Sequence, residues 1–404
     1  MSEHADMPEH TEPIKVLHII TRLIIGGAQE TAMLITEQLD KAEFDVALVS
    51  GPQTGTEGSL IEAVHLRNIP LTIEPTLVRE IHPLKDAIAL VKLIRHIRKN
   101  QYAIVHTHSS KAGIIGRWAA RVAGVPLIVH TVHGWGHHER QHPLVRWLYI
   151  LLEKVTLPIT DKLIVVSSFN IEKGLQDGIG DDDDYVVIRS GIELDRFGYP
   201  IRSPQEVRAE LGIPAEAKVI GTVTRLSEQK APLDFIHAAH LVAMERPDTY
   251  FVIVGDGPLR GDVEAAIRQN GLTERVILTG LRRDIPELMA SFDLFALSSL
   301  WEGLPRVLPQ AMASVLPLVA TQIDGNAEII QEDENGVLVP PGEPKKLAQA
   351  LVSLLDNPER AFEMGQTGRE MVEEYGVDRM VKETEILYRR LRNEKGTASF
   401  GIHI

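Results

Sequence analysis

A carboxylate, a glycine and a proline follow an apolar run at residues 300–313, where Glu302, Gly303, Leu304, Pro305, Arg306 and Val307 lead to Pro309 and Gln310. The preceding residues 293–299 have the character of a buried strand, and Pro305 ahead of a mostly apolar run suits a helix start. Open α/β sheets bind ligands at the carboxyl ends of their strands. Glu302 therefore stands where a polar ligand would be met, although any strand-turn-helix unit can carry a Glu-Gly turn.

Other stretches share this character. Gly26 and Gly27 precede an expected helix at 29–39. Two glycines there let backbone N–H groups approach an anion at a helix start, or simply make a tight turn. Strand alternation sends His133 out beside the flexible Gly134 and Gly136, where an imidazole can bond a sugar hydroxyl or accept a proton. His133, His137 and His138 could also be metal ligands, but no acidic or thiolate ligand sits at a standard spacing, so no metal is expected. Arg225 and Lys230, five residues apart on a loop, can clamp a diphosphate by fork and point charge, or serve as surface ion-pair residues. The run Gly255, Asp256, Gly257, Pro258 fails as a dinucleotide fingerprint, since the third glycine comes one residue late and Pro258 fixes the backbone. No nicotinamide cofactor is implied.

The elements that must position these residues alternate strand and helix from end to end, which predicts parallel sheets with crossover helices. Strands are expected near 16–20, 44–50, 104–108, 127–130, 162–166 and 186–188. A second set is expected near 219–224, 250–254, 276–279, 294–297, 317–320 and 336–339. The chain of 404 residues exceeds one core and has 44% hydrophobic residues, enough for two. Its join falls at 190–204, where Gly191, Gly198, Pro200 and Pro204 interrupt the periodicity. The expected division is a disordered tail at 1–13, one Rossmann-like domain at 14–200, a second at 201–380, and a terminal helix and tail at 381–404 that could cross back. Asp181 to Asp184 should form an exposed loop.

With no cysteine, disulfides and thiolate metal sites are excluded. The first twelve residues lack the features of a signal peptide, and 147–159 is too short and too interrupted to span a bilayer. A soluble chain is expected. The net charge of −14 argues against general nucleic-acid binding. Residues 85–154 nevertheless hold eleven Lys or Arg against three Asp or Glu, a local balance of +8, and eight of the sixteen histidines. This island reads either as solvated helix faces or as a surface for an anionic partner, such as lipid headgroups or a pyrophosphate-linked acceptor.

Together, Gly26 and Gly27, His133 and Gly134, Arg225 and Lys230, Gly255 to Pro258, and the Glu302 to Gln310 block make the chain resemble family 4 glycosyltransferases of the GT-B fold. That fold has two Rossmann-like parallel-sheet domains facing across a cleft. The resemblance implies a retaining hexosyltransferase, with neither metal nor cofactor, that moves a sugar from a nucleotide-sugar donor, by family frequency a UDP-sugar, to a glycan or lipid-linked acceptor in polysaccharide biosynthesis. It implies that Glu302 binds a donor-sugar hydroxyl and His133 faces the transferred sugar, and these two are the expected catalytic pair. It further implies that Arg225 and Lys230 neutralise the departing diphosphate, Gly26 and Gly27 close over it, Gly303, Leu304 and Val307 meet sugar and phosphates, and Leu281 lines the base pocket. Gln310 departs from the family's second glutamate, the ribose contact. Pro309 beside it would kink a helix begun at Pro305, so that helix should start late or bend. The implied location is the cytoplasm, with transient docking at the inner membrane face through 85–154. An epimerase of the same fold, or a non-catalytic nucleotide-binding scaffold, are the rival readings.

Overall fold

Apolar runs of four to seven residues joined by long connections cannot pair as hairpins, and parallel pairing with helical crossovers is the arrangement left to them. The computed structural model, which describes residues 12–53, 57–138 and 141–400, has two such sheets. The first contains β1 (Ile14–Ile20), β2 (Phe44–Ser50), β3 (Leu71–Ile73), β4 (Ile104–His108), β5 (Leu127–Val132), β6 (Lys162–Val165) and β7 (Tyr185–Val187), in the order β3-β2-β1-β4-β5-β6-β7. The second contains β8 (Lys218–Val223), β9 (Thr249–Val254), β10 (Val276–Gly280), β11 (Leu294–Leu297), β12 (Leu318–Thr321) and β13 (Gly336–Val339), in the order β10-β9-β8-β11-β12-β13. Strand order reverses beside β1 and beside β8, the switch points where crevices open.

All the strands expected from sequence are present. The additional one, β3, is a three-residue edge strand that is only partly covered, too short to give a periodic signal. Residues 182–184, within the expected loop, instead make a 3-10 turn in which the Asp181 N–H donates to Asp184 Oδ2 at 2.9 Å. The expected tail at 1–13 lies almost wholly outside the described residues, as do 401–404.

The helix Val377–Phe400 returns to the first sheet. Its Val377, Met380, Tyr388 and Leu391 join Val16, Ile104 and Val129 in one core cluster. The two passages between domains run side by side: Ile192 N–H donates to the Tyr375 carbonyl at 2.8 Å, and Val377 N–H to the Ile192 carbonyl at 2.9 Å. At Gly191 a Cβ would sit 2.6 Å from Val377 Cα, so the crossing is possible only with glycine there.

Candidate active site

Between the domains lies a cleft of about 800 Å³. Gly26, Gly27, His133, Arg225, Lys230, Leu281, Glu302, Gly303, Leu304, Val307 and Gln310 all line it. Strand ends from both sheets bring them together.

On the second domain, Glu302 leaves β11 with only 6% of its side chain exposed. It accepts a hydrogen bond from Ser299 Oγ at 2.7 Å and is ion-paired with Lys230. Arg225 reaches across the cleft to Glu57, Nη2 to Oε1 at 3.1 Å, and Arg22 holds the same carboxylate at 3.3 Å. Burial alone would raise the pKa of Glu57, but hydrogen bonds and the charges of Arg22 and Arg225 hold it below the usual carboxylate value. Both expected phosphate cations are thus already balanced by carboxylates.

The helix after Gly303 begins at Val307, not at Pro305. Pro309 is then its third residue, where the backbone N–H has no intrahelical partner, and the proline disrupts nothing. Gln310 N–H makes the first i to i−4 bond, to the Arg306 carbonyl at 3.1 Å. The residue is 9% exposed and lines the cleft wall.

From the first domain, Gly26 precedes the helix Gly27–Gln38, and no side chain among the described residues caps that start. Its opening N–H groups are left for an anion. The domains touch at the His133–Gly134 loop: a Cβ on Gly303 would lie 2.2 Å from the His133 carbonyl oxygen. Only glycine permits that approach.

Sequence reasoning missed Arg306. Buried at 8% exposure, it donates Nε and Nη2 to the Gly191 carbonyl at 3.2 and 3.0 Å and pairs with Glu30 of the first domain. A lone arginine at the start of an apolar helix was the available signal. Trp301 stacks on His138 across the cleft, with centroids 4.7 Å apart and planes at 20°. Here the sequence carried no signal.

The histidines of 85–154 add little to its charge. His106, His108, His130 and His137 are buried, and burial first of all lowers the pKa of each. His133 is lowered to about 3, by desolvation and then by the charge of Arg306. They are neutral near pH 7. Some of the island's Lys and Arg charge is spent internally: Arg117 is fully buried on Glu153 at 2.6 Å, and Arg146 pairs with Asp177 at 3.0 Å. Asp177 also takes His137 Nε2 at 2.8 Å, an acidic partner forty residues away that spacing could not reveal.

Two parallel-sheet domains closing on a cleft of glycine turns, cations and a buried carboxylate define a GT-B glycosyltransferase. Solved structures share the fold. Anabaena HepE in complex with UDP-glucose aligns with TM-score 0.79 at 22% identity, over 93% of this chain and all of that one. WaaG, a glycosyltransferase involved in lipopolysaccharide biosynthesis, aligns at 0.73 and 17%, over 92% and 98%. The chain belongs to glycosyltransferase family 4: residues 25–196 match Glycosyltransferase Family 4 and residues 203–371 match Glycosyl transferases group 1. It is 34% identical over 350 residues, 85% of this chain and 88% of the relative, to the Escherichia coli UDP-Gal:alpha-D-GlcNAc-diphosphoundecaprenol alpha-1,3-galactosyltransferase. The 2-deoxystreptamine glucosyltransferase of Streptomyces kanamyceticus is 29% identical, with 72% of this chain and 78% of that protein covered. The chain is therefore a hexosyltransferase.

Proposed function

We propose that the chain moves a hexose, with retention and without a metal, from a UDP-sugar to a hydroxyl of a lipid-linked saccharide or glycan during polysaccharide biosynthesis. Residues 14–200 serve the acceptor side and 201–380 the donor side. The observation that carries this reading is the convergence of Arg225, Lys230, Glu302 and the uncapped helix start at Gly26 on one cleft. A departing diphosphate gains negative charge in the transition state, so cations and helix N–H groups aimed at it lower the barrier. Glu57 and Glu302 occupy those cations until the phosphates displace them, and with two cations present no divalent ion is required for charge balance. The lipid-linked acceptor is supported by the E. coli relative, whose name specifies a diphosphoundecaprenol substrate.

Peripheral docking at the cytoplasmic membrane face fits the helix Pro143–Thr156. Leu144, Trp147, Leu148, Leu151, Leu152 and Val155 form a stripe at helical spacing, and each is at least 37% exposed. An apolar stripe turned outwards within a basic region is the composition of an interfacial helix. Among the described residues no helix is long and apolar enough to cross a membrane.

Incubation with UDP- and GDP-hexoses and a diphosphopolyprenol-linked sugar tests the reading. A glycosidic product with the donor's anomeric configuration, formed equally well in EDTA, is expected. Loss of Glu302 should cost about ten- to a hundredfold, the worth of a charged hydrogen bond. Unchanged turnover in Glu302→Ala would remove the site assignment. Conversion of donor without any acceptor would favour an epimerase.

A further inference from the structure

Three fully buried histidines lie in the first sheet: His18 on β1, and His106 and His108 on β4. In register His18 neighbours His106, and His108 neighbours Thr131 of β5. Alternation therefore puts these side chains, and His133 two residues beyond Thr131, on one face. Val16, Ile104 and Val129 begin the same face, so it changes from aliphatic to imidazole toward the cleft.

The imidazoles are joined. His133 Nε2 is 3.0 Å from His108 Nδ1, and His108 Nε2 is 2.9 Å from His18 Nδ1. His18 Nε2 is buried and has no hydrogen-bond partner among the described residues. His106 stacks on His108 at 4.3 Å, with its nitrogens held by Tyr388 OH and Thr131 Oγ1, each at 2.6 Å. Three imidazoles so placed could also be read as cation ligands. The 2.9 Å between His18 and His108 nitrogens is, however, shorter than the roughly 3.3 Å kept by two tetrahedral zinc ligands at about 2.0 Å. It is hydrogen-bond geometry.

A neutral imidazole has one N–H, so the row can point only two ways. If His133 donates inwards, His18 Nε2 must carry a buried N–H with no acceptor. If His18 donates outwards from Nδ1, His18 Nε2 is a bare lone pair, both links between the imidazoles are satisfied, and the remaining N–H is Nδ1–H of His133, a residue that lines the cleft. Buried N–H groups without an acceptor are rare in proteins, and under-satisfied acceptors are less so. We propose that His18 and His108 are positioning residues that lock His133 as the Nδ1–H tautomer, making it a hydrogen-bond donor in the cleft and not a proton acceptor. The hydroxyl or phosphate oxygen that this N–H would meet rests on the transferase reading above; the tautomer does not.

Nitrogen-15 NMR of the histidine-labelled full chain, without donor or acceptor, reads the tautomer directly, with His133→Gln assigning the signals. His133 should show a protonated Nδ1 and a bare Nε2. His108→Asn, which keeps an N–H near the position of Nδ1, should preserve that pattern. His108→Leu and His18→Phe each remove a link, and both should shift His133 to a mixture of tautomers; either alone suffices if the other does not fold. Protonated Nε2 in the unaltered chain, or an unchanged His133 in a folded His108→Leu or His18→Phe protein, would overturn the proposal. Failure of the transferase reading would show instead as missing product with this spectrum intact.

Discussion

The two sheets bring their carboxyl ends to one cleft, where the second presents the expected phosphate cations and the first a row of neutral imidazoles. Lys230, Arg225 and Glu302 sit on loops beyond β8 and β11, each paired with an opposite charge. His18, His106 and His108 lie within strands, fully buried, and their pKa values are depressed by desolvation. Loop charges can exchange a carboxylate for a phosphate as the ligand arrives. Strand imidazoles have no such freedom and can only hold a geometry. The difference separates a side that responds to charge from a side that fixes direction.

The largest test removes a charge. In Lys230→Ala the cation is gone, and Glu302, nearly buried, is left without its ion pair. Turnover should fall about 10²- to 10³-fold, the cost of losing one transition-state contact of this kind. Steady-state kinetics with the donor varied reads it, and a fall below tenfold would mean that the charged side does not carry the leaving group.

Next in size is the point where the two sides meet. Gly303→Ala would drive a methyl to within 2.2 Å of the His133 carbonyl, forcing the domains apart there. A displacement of about 1 Å at reacting groups can cost 10²-fold in rate. The expected protein is folded, with a melting temperature close to the parent's, a wider cleft by solution scattering and about 10²-fold lower turnover. Retained turnover would show that this contact is not part of the working state.

This contrast also explains what could be read from the chain. Two sheets were legible because each strand is a compact apolar run, and the Glu302 to Gln310 block because its residues are adjacent. The histidine row was not: His18 and His108 lie on two strands and His133 just beyond the end of a third, and they come together only through parallel register. Residue counting placed His106, His108 and His130 in a basic segment without showing that they are buried. Arg306 was passed over because its partners, Gly191 and Glu30, are 115 and 276 residues away.

Acid should separate the domains by a smaller margin. The unfolded chain protonates His18 below its ordinary value of 6.5, while the folded chain holds it neutral down to about 3. The unfolded state therefore binds the extra proton, and stability falls as pH drops from about 6.5 toward 3. By pH 5 the loss is on the order of 2 kcal/mol from His18. Urea denaturation at pH 7 and pH 5, followed by hydrogen exchange in β4 and β9, should show β4 losing more protection. Equal losses would break the distinction.

The smallest effect tests the charged side alone. Gln310 faces the cleft from a helix that begins at Val307, so Pro309 costs that helix no hydrogen bond, and Gln310→Glu changes charge at nearly constant shape. If this residue holds ribose hydroxyls, a carboxylate should bind them about twice as strongly as the amide does. The gain would be offset in part by repulsion from Glu302 and the diphosphate. The donor KM should fall about three- to fivefold, a net gain under 1 kcal/mol, with kcat nearly unchanged. A fall in kcat without a change in KM would move Gln310 from the ribose to the phosphates, where added negative charge opposes the leaving group. The side that responds to charge would then extend one helical turn beyond Lys230 and Glu302.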